Sequence, residues 1–298
     1  MGKYRYRAFG LNIASDFRLP ELMEGSGSED VGILKGIIDV GDYDLSENII
    51  FKESREESIY QIKKIARCKI IKGETAIIMP DPFLSDSTLR LLILTSVFGC
   101  VFIQRRMVPI HGSCVVIGKR SIVIMGSSGA GKSSLAGTFI KEGCKFLSDD
   151  VSVISENALG KMLVQPGYPY RKLHQDSAEY HSLDYIGFER IEFEEEKYLI
   201  PQHDSFMAEP AELGAFFEIA PGDVDDVTIE KIKGMAKLDV LMRNIYRWKL
   251  IGYHDLNAYY YQKMGNIASR VDVFKITRPK GGFSCERQIK LILKELGL

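Results

Sequence analysis

The chain has 298 residues, of which 45% are hydrophobic and 27% are charged, as in an ordinary soluble globular protein. The formal net charge is −1, with 39 Lys and Arg residues against 40 Asp and Glu residues, so no broad positive surface for nucleic acid or an acidic membrane is expected. The length allows one large domain, or a catalytic core with a smaller domain beside it.

The five cysteines are odd in number and include no CxxC pair, which argues against a disulfide framework and against a zinc ribbon. Reduced, mostly buried thiols are expected. The first residues lack the apolar core of a signal peptide. The longest apolar run, Leu89–Ile103, is shorter than the roughly 18 residues needed to span a bilayer and predicts a buried helix. A cytoplasmic protein is expected.

Short alternating segments dominate the first 80 or so residues. Residues 3–13 predict one strand, and further strands are predicted at Val31–Val40, Asn48–Phe51, Ser58–Ile65, Lys69–Lys72 and Glu74–Met79. A helix is predicted over Thr88–Arg105, capped by Asp86 or Ser87. We therefore expect a small β-rich module over residues 1–86, without a chemical motif, and a second domain over residues 87–298.

From residue 107 the pattern changes to two apolar β runs, a glycine-rich loop and a helix. Ser113–Ile117 and Ser121–Met125 are joined by Gly118-Lys119-Arg120, which predicts a tight hairpin. The helix is expected from about Lys132 to Glu142, and a short strand from Cys144 to Leu147 follows it.

The loop between the hairpin and the helix satisfies the phosphate-binding pattern G-x-x-x-x-G-K-[ST]. Glycines let backbone N–H groups close around phosphate, and the following helix presents its positive end to the same charge. Lys132 would reach the β- and γ-phosphates, and the Ser133 hydroxyl would ligate Mg²⁺. We therefore expect ATP and Mg²⁺ as cofactors. The predicted nucleotide-binding residues are Gly126, Ser127, Ser128, Gly129, Ala130, Gly131, Lys132, Ser133 and Ser134.

Two adjacent carboxylates, Asp149 and Asp150, follow the next strand. A right-handed crossover would place them beside the loop, and phosphoryl transfer needs a carboxylate for Mg²⁺ and another for the acceptor hydroxyl. We assign the acceptor base to Asp149 and the metal to Asp150, although the sequence leaves the division between the two open. His111, just before the hairpin, is a candidate to contact the γ-phosphate or the acceptor, and a lone histidine is more often structural.

The second half of the chain should supply further cations for the transferring phosphoryl group. Arg171, Lys172 and His174 follow a Pro-rich turn and form one candidate set. Arg243 and Arg247 lie one turn apart on a helix predicted over Lys237–Leu250 and form the other. Solvated surface charge is the alternative for each of them. A terminal helix is predicted over Cys285–Leu296.

The segments from His111 to Ile117, from Ile124 to Ala136 and from Glu142 to Asp150 together resemble the catalytic core of HPr kinase/phosphorylase. This resemblance implies an α/β P-loop kinase core of the HPr kinase and phosphoenolpyruvate carboxykinase type. It also implies that Lys132 and Ser133 bind phosphate and Mg²⁺, that one of the paired aspartates is the base for a serine hydroxyl, and that His111 is an active-site residue.

A narrower group resembles the chain over more of its length. Tyr6–Ser15, Gln104–His111, Tyr168–Leu173 and Arg270–Pro279 are similar to HPr kinase-related proteins of peptide biosynthetic clusters, some of which phosphorylate the C-terminal serine of a lasso-peptide precursor. Two positions depart from the typical HPr kinases, which carry Glu in place of Ser134 and His in place of Cys144. The segment linked to phosphorolysis is also absent, so the resemblance does not imply the reverse reaction or HPr as acceptor.

The sequence therefore predicts an ATP-dependent serine kinase with catalytic residues Asp149, His111 and Lys132, acting on a peptide or small protein. A kinase for a small hydroxylated metabolite and a non-catalytic nucleotide-sensing module are the alternatives. Neither nucleic acid nor a membrane is expected as a partner. Homo-oligomerisation is left open, because typical relatives are hexamers but the determinants of that assembly are not recognisable here.

Overall fold

The computed structural model describes residues 2–39, 49–54, 56–62, 64–185, 187–188 and 197–298. The chain is a mixed α/β protein that groups into two compact units. The first contains Met1–Pro109 and Arg247–Ala258, and the second contains Ile110–Arg190, Glu196–Tyr246 and Tyr259–Leu298. The first unit thus continues beyond the boundary expected at residues 86 and 87 and includes the apolar helix.

The first unit contains an eight-stranded sheet, in the order β3-β1-β2-β4-β8-β7-β6-β5. Its strands are β1 (Tyr4–Ala8), β2 (Leu11–Ser15), β3 (Met23–Glu24), β4 (Val31–Lys35), β5 (Ile49–Glu53), β6 (Glu57–Ile62), β7 (Ala66–Ile71) and β8 (Thr75–Pro80). β2 pairs with β4 and β4 with β8 in parallel, and the other neighbours are antiparallel. Alternation is clear in β7, where Cys68 and Ile70 are buried between half-exposed neighbours.

The single strand predicted over residues 3–13 is wrong, because the chain reverses there as the β1–β2 hairpin. Phe9 and Gly10 form the turn with φ of 56° and 77°, as a type I′ turn requires. A phenylalanine is unusual with positive φ. Its ring is buried and lies 5.6 Å from the ring of Phe98 and 5.0 Å from that of Phe102. Burial of the Phe9 ring offsets the free-energy cost of its positive φ. The local sequence does not reveal this burial.

The predicted apolar helix is confirmed as α1 (Asp86–Leu92), a π-helical turn (Ile93–Val97) and α2 (Phe98–Gln104). Its cap is Ser85, whose side chain accepts from the N–H of Thr88, and not Asp86 or Ser87. Among the described residues, Asp86–Gln104 alone is long and apolar enough to cross a membrane, but 67% of that window is buried inside the structure. A buried core helix has the same composition.

The second unit is built on another sheet, in the order β10-β9-β12-β13-β16-β18-β17, with β11 paired to β9 and β10 also paired to β16. Its strands are β9 (Val108–Ile117), β10 (Arg120–Met125), β11 (Lys145–Ser148), β12 (Val151–Glu156), β13 (Met162–Gln165), β16 (Ala211–Gly222), β17 (Thr228–Ile232) and β18 (Asp272–Pro279). A separate antiparallel pair is formed by β14 (Tyr170–His174) and β15 (Lys197–Pro201). A strand was predicted over Ile191–Ile200, of which residues 191–196 lie outside the described residues.

The remaining helices are α3 (Lys132–Lys141), α4 (Gln175–Tyr180), α5 (Met235–Arg243), α6 (Lys249–Tyr253), α7 (Asn257–Arg270) and α8 (Cys285–Glu295). The predicted β9–β10 hairpin and the predicted helices at α3 and α8 are confirmed. α3 and α8 contribute Leu135, Phe139 and Ile292 to the main core, which also contains Ile124 and Phe217 of the sheet.

The continuous helix predicted over Lys237–Leu250 is wrong. α5 ends at Arg243, and α6 begins only at Lys249. The side chain of Asn244 explains the break, because its amide donates to Glu218 Oε1 and to the carbonyl oxygen of Val240, both at 2.8 Å. A side chain that bonds to the backbone in this way competes with helix continuation.

Candidate active site

Four strands of the second unit end at one edge of its sheet. β10, β16 and β18 are parallel to one another. β11 runs in the same direction as β10, because both pair antiparallel with β9. The glycine-rich loop follows β10, Asp149 follows β11 and Arg278 lies at the end of β18, while His111 lies at the start of β9. The carboxyl ends of parallel strands are the usual place for ligands in α/β proteins.

The loop from Gly126 to Ser133 has a backbone that only glycine adopts without strain. Gly126, Gly129 and Gly131 have φ of 142°, 76° and 105°. A Cβ at Gly126 would lie 2.4 Å from the carbonyl oxygen of Ile219, whereas a Cβ at Gly129 would meet nothing within 4 Å. Gly126 is therefore required for close packing as well as for its φ angle.

Lys132 is buried at the centre of this loop. Its Nζ donates to the carbonyl oxygens of Gly126 at 2.8 Å and Ser127 at 2.9 Å. Burial lowers the pKa of Lys132, and the negative charges of Asp149 and Asp150 oppose that shift. The ammonium group and the positive end of α3 thus face the same small volume, which is the arrangement that binds phosphate.

Asp149 connects the loop to the neighbouring elements. Its Oδ1 accepts from Ser113 Oγ at 2.5 Å and Ser133 Oγ at 3.3 Å. Its Oδ2 accepts from the backbone N–H of Lys172 at 2.8 Å. Ser113 was missed from the sequence because it lies inside an apolar strand and gives no motif. The contact with Ser133 places this carboxylate beside the hydroxyl predicted to bind metal.

Asp150 faces a different set of groups. Its Oδ2 lies 3.0 Å from Lys172 Nζ, and its Oδ1 lies 3.5 Å from His111 Nδ1. Its backbone has φ of 65°, a strained conformation that turns it away from Asp149. Burial alone would raise the pKa of Asp150, but the charges of Lys172 and His111 outweigh it and hold that pKa at about 2. Asp150 is therefore ionised at neutral pH.

His111 lies against Asp150 in a fixed orientation. Its Nδ1 is 3.0 Å from the carbonyl oxygen of Asp150, which can only accept, so Nδ1 carries a proton. The backbone N–H of His111 donates to the carbonyl oxygen of Asn244 at 2.7 Å. Burial lowers the pKa of His111, Asp150 raises it and Lys132 lowers it further, and the net shift is downward. The imidazole is therefore mainly neutral at pH 7.

The two predicted sets of cations have different partners in the structure. Lys172 faces Asp150, whereas Arg171 is 1% exposed and donates through Nη2 to the carbonyl oxygen of Ser133, at the first turn of α3. Burial lowers the pKa of Arg171 to about 10. Arg243 pairs with Glu218, and Arg247 donates to Ser96 Oγ. Neither Arg243 nor Arg247 is among the described residues that line the cleft.

A cleft of about 440 Å³ is lined by Lys132, Asp149, Asp150, His111 and Lys172, and its described lining residues all belong to the second unit. The described residues of its walls carry five cationic side chains and three carboxylates. The cations are Lys132, Lys172, Lys197, Arg278 and Lys280, and the carboxylates are Asp149, Asp150 and Asp176. An excess of positive charge in a concave site favours a polyanionic ligand.

The predicted loop residues divide into two groups. Those that line the cleft are Ser128, Gly129, Gly131, Lys132, Ser133 and Ser134. The other three, Gly126, Ser127 and Ala130, stabilise the loop through their backbone. The carbonyl oxygens of Gly126 and Ser127 accept hydrogen bonds from Lys132, and that of Ala130 accepts one from Arg278. The Ser134 hydroxyl lies 2.7 Å from Ser177 Oγ.

Arg278, Lys197 and Lys280 were missed as site residues. Arg278 Nε donates to the carbonyl oxygen of Ala130 at 2.8 Å, and its Nη2 lies 3.3 Å from that of Gly129. The available signal was its position directly before Pro279, after the segment Val271–Ile276, which has the composition of a strand. That signal becomes useful only when the strand is known to lie parallel to β16 and to end beside the loop.

The donor groups fit a magnesium ion that is shared with phosphate. Among the described residues, there is no group of three or more His, Cys, Asp or Glu side chains that could hold a metal by themselves. Mg²⁺ is usually bound by one or two carboxylates together with substrate phosphates and water. Ser133 Oγ and Asp149 Oδ1, 3.3 Å apart at the end of the loop, form such a partial donor set.

No family model and no curated protein sequence matches this chain. Among solved structures, that of the Hpr(Ser) kinase/phosphatase from Coxiella burnetii is similar, with 13% sequence identity and a TM-score of 0.33. The similarity covers 63% of this chain and 94% of that chain. At this level of similarity, the function has to be inferred from the chemistry of the cleft itself.

Proposed function

We propose that the protein is an ATP-dependent serine kinase of the HPr kinase type, with a P-loop core preceded by a β-rich module. The observation that carries the proposal is the meeting of three groups in one cleft: the Lys132 loop, the Asp149 carboxylate bonded to Ser133, and the Asp150 carboxylate paired with Lys172 beside His111. Phosphoryl transfer needs a phosphate cradle, a metal ligand and an acceptor-orienting group. This cleft offers one candidate for each.

In this proposal the triphosphate binds to the loop N–H groups, Lys132 and the N-terminus of α3. Ser133 and Asp149 would hold Mg²⁺, which when bound neutralises charge on the phosphate oxygens. Arg278 stiffens the loop through its bonds to the carbonyl oxygens of Gly129 and Ala130. Lys132 supplies the fixed positive charge that stabilises the oxygens of the transferring group.

The acceptor hydroxyl is assigned to Asp150, which exchanges the roles expected from the sequence. Asp149 contacts Ser133, whereas Asp150 contacts His111 and Lys172. With a pKa of about 2, Asp150 is a weak base. The transition state of phosphoryl transfer is loose and needs little proton removal before the hydroxyl attacks. Asp150 therefore acts mainly by orienting the hydroxyl and accepts its proton late, while Lys172 holds the carboxylate and neutral His111 bonds to the backbone carbonyl oxygen of the same residue.

The acceptor is a peptide or small protein that ends in serine, as in a lasso-peptide precursor. His174 and Lys197 lie opposite each other in the β14–β15 pair and both line the cleft. A C-terminal serine carries a carboxylate next to its hydroxyl, and these positive or polar groups can bind it while Asp150 orients the hydroxyl. We place the protein in the cytoplasm, without nucleic acid or a membrane as partner.

Mass spectrometry of a lasso-type precursor peptide incubated with the protein, ATP and Mg²⁺ tests the proposal. We expect a mass gain of one or more phosphoryl groups, which disappears when the terminal serine is replaced by alanine. ATP consumed without peptide modification would favour a small-metabolite kinase. Bound but intact ATP in the presence of every acceptor tried would favour a nucleotide sensor, and either result would overturn the peptide-kinase assignment.

A further inference from the structure

The cleft extends well beyond the residues that the proposed reaction uses. β10, which leads into the loop, has β9 and then β11 on one side, and β16 and then β18 on the other. Asp149 and Asp150 follow β11, whereas the segment from Lys280 to Gln288 follows β18. Lys280, Phe283 and Gln288 all line the cleft. The loop is therefore flanked by the carboxylates on one side and by this segment on the other.

Phe283 is an exposed aromatic ring at that end of the cleft, with 44% of its surface accessible. A single exposed apolar side chain on a convex surface needs no explanation. Phe283 differs because it lines a concave, charged site and is not on a convex surface.

The ring is held in a defined orientation. It stacks on Tyr180 with centroids 4.1 Å apart and an interplanar angle of 10°. The Tyr180 hydroxyl donates to Glu286 Oε1 at 2.6 Å, and its ring meets His181 edge-on at 4.9 Å. Tyr180 belongs to α4, and Glu286 belongs to α8. Two helices thus fix a preformed aromatic surface, and one ring of it remains accessible from the cleft.

The chemistry of a nucleoside triphosphate matches this layout. The transferred phosphoryl group is at one end of the triphosphate, and the nucleoside is at the other. A γ-phosphoryl group directed to Asp150 leaves the nucleoside to extend away from the carboxylates, towards the segment after β18. Nucleobases stack on aromatic side chains irrespective of base identity, because every base presents a π face.

We propose that Phe283, supported by Tyr180, is the stacking surface for the nucleobase, so that the site takes nucleoside triphosphates in preference to inorganic polyphosphate. This inference rests on the proposed function. It makes Phe283 a specificity-determining residue that contacts the donor nucleotide and not the acceptor.

The test is calorimetric titration of ATP and of inorganic tripolyphosphate, each with Mg²⁺, into wild type and Phe283→Ala. We expect Phe283→Ala to weaken ATP binding about tenfold or more, with tripolyphosphate affinity unchanged. Phe283→Tyr should retain ATP affinity. Tyr261→Ala is the matched control, because Tyr261 is an exposed aromatic residue of the same unit that is not part of the cleft lining. Unchanged tripolyphosphate binding also shows that the variant is folded.

Equal ATP affinity in Phe283→Ala and wild type would overturn the inference while leaving the proposed function intact. The same holds if Phe283→Ala raises the KM for the acceptor peptide and not that for ATP, which would place the acceptor against the ring. Lys132→Ala should weaken both ligands. If wild type binds neither ATP nor tripolyphosphate, the proposed function itself fails, and this inference fails with it.

Discussion

Asp149 and Asp150 are adjacent in the chain, yet their carboxylates bond to different partners. The left-handed backbone of Asp150 turns it towards His111 and Lys172, while Asp149 remains beside Ser133. The sequence predicts that the two carboxylates lie near the loop, since one helix and one short strand separate them from Lys132. It cannot divide their roles, because the division depends on a φ angle and on partners from distant strands.

The protonation state of His111 gives a prediction at the same scale. Its pKa lies below the ordinary value of 6.5, mainly because of burial, so the ring is neutral at pH 7 and gains charge only as the pH falls. A charged imidazole would pair more strongly with the Asp150 carboxylate and draw that carboxylate away from the acceptor hydroxyl. We expect the transfer rate to fall on the acid side below pH 6.5, and His111→Asn to be slower overall but to lack this decline. Rates measured from about pH 5 to 8 check this; an identical decline in both proteins would contradict it.

At the scale of elements, the hairpin, loop and helix could be predicted because their signals are local. Gly118 marks the turn, the glycine pattern marks the loop, and Gly143, with φ of 87°, follows the end of α3. Arg278 could not be assigned to the site, because it reaches the loop only through the parallel pairing of β18 with β16. The spacing of Arg243 and Arg247 suggested a common face, but Asn244 ends the helix between them.

The loop glycines provide a matched pair of variants. Gly129→Ala introduces a side chain into open space at a positive φ and should cost about 1 kcal/mol of unfolding free energy. Gly126→Ala combines a positive φ with a Cβ 2.4 Å from the carbonyl oxygen of Ile219, so the backbone must shift. We expect a cost of about 2 kcal/mol or more, and weaker ATP binding. Urea unfolding measures the difference, and equal costs for the two variants would show that the packing against Ile219 is unimportant.

At the scale of the whole molecule, each unit has its own set of buried residues. Phe9, Phe98 and Phe102 pack together in the first unit, and every described residue that lines the cleft belongs to the second. The sequence predicted mostly β structure for the first 80 or so residues and a buried apolar helix after it. It did not predict that Arg247–Ala258 groups with the first unit, because that depends on contacts between residues more than a hundred positions apart.

Phe9→Ala tests the core of the first unit. Phe9 is 1% exposed, so its truncation should lower the unfolding free energy by about 3–5 kcal/mol. Phe83 belongs to the same unit and is 96% exposed, so Phe83→Ala should change the unfolding free energy by less than about 0.5 kcal/mol. Denaturant unfolding compares the two variants. ATP affinity at a temperature where both are folded should be unchanged, and a comparable loss of stability in both would contradict the assignment of Phe9 to the core.

The central claim is that a phosphoryl group is transferred in this cleft, where Asp149 binds Mg²⁺ and Asp150 orients the acceptor hydroxyl. Single-turnover transfer from γ-labelled ATP to the precursor peptide, measured over a range of Mg²⁺ concentrations, tests it most directly. We expect Asp150→Asn to slow transfer about 10²-fold at saturating Mg²⁺, because the hydroxyl is no longer oriented, and Asp149→Asn to raise the Mg²⁺ concentration needed for half-maximal rate. Transfer at the wild-type rate by Asp150→Asn, with Asp149→Asn inactive at every Mg²⁺ concentration, would contradict the account and return the acceptor role to Asp149.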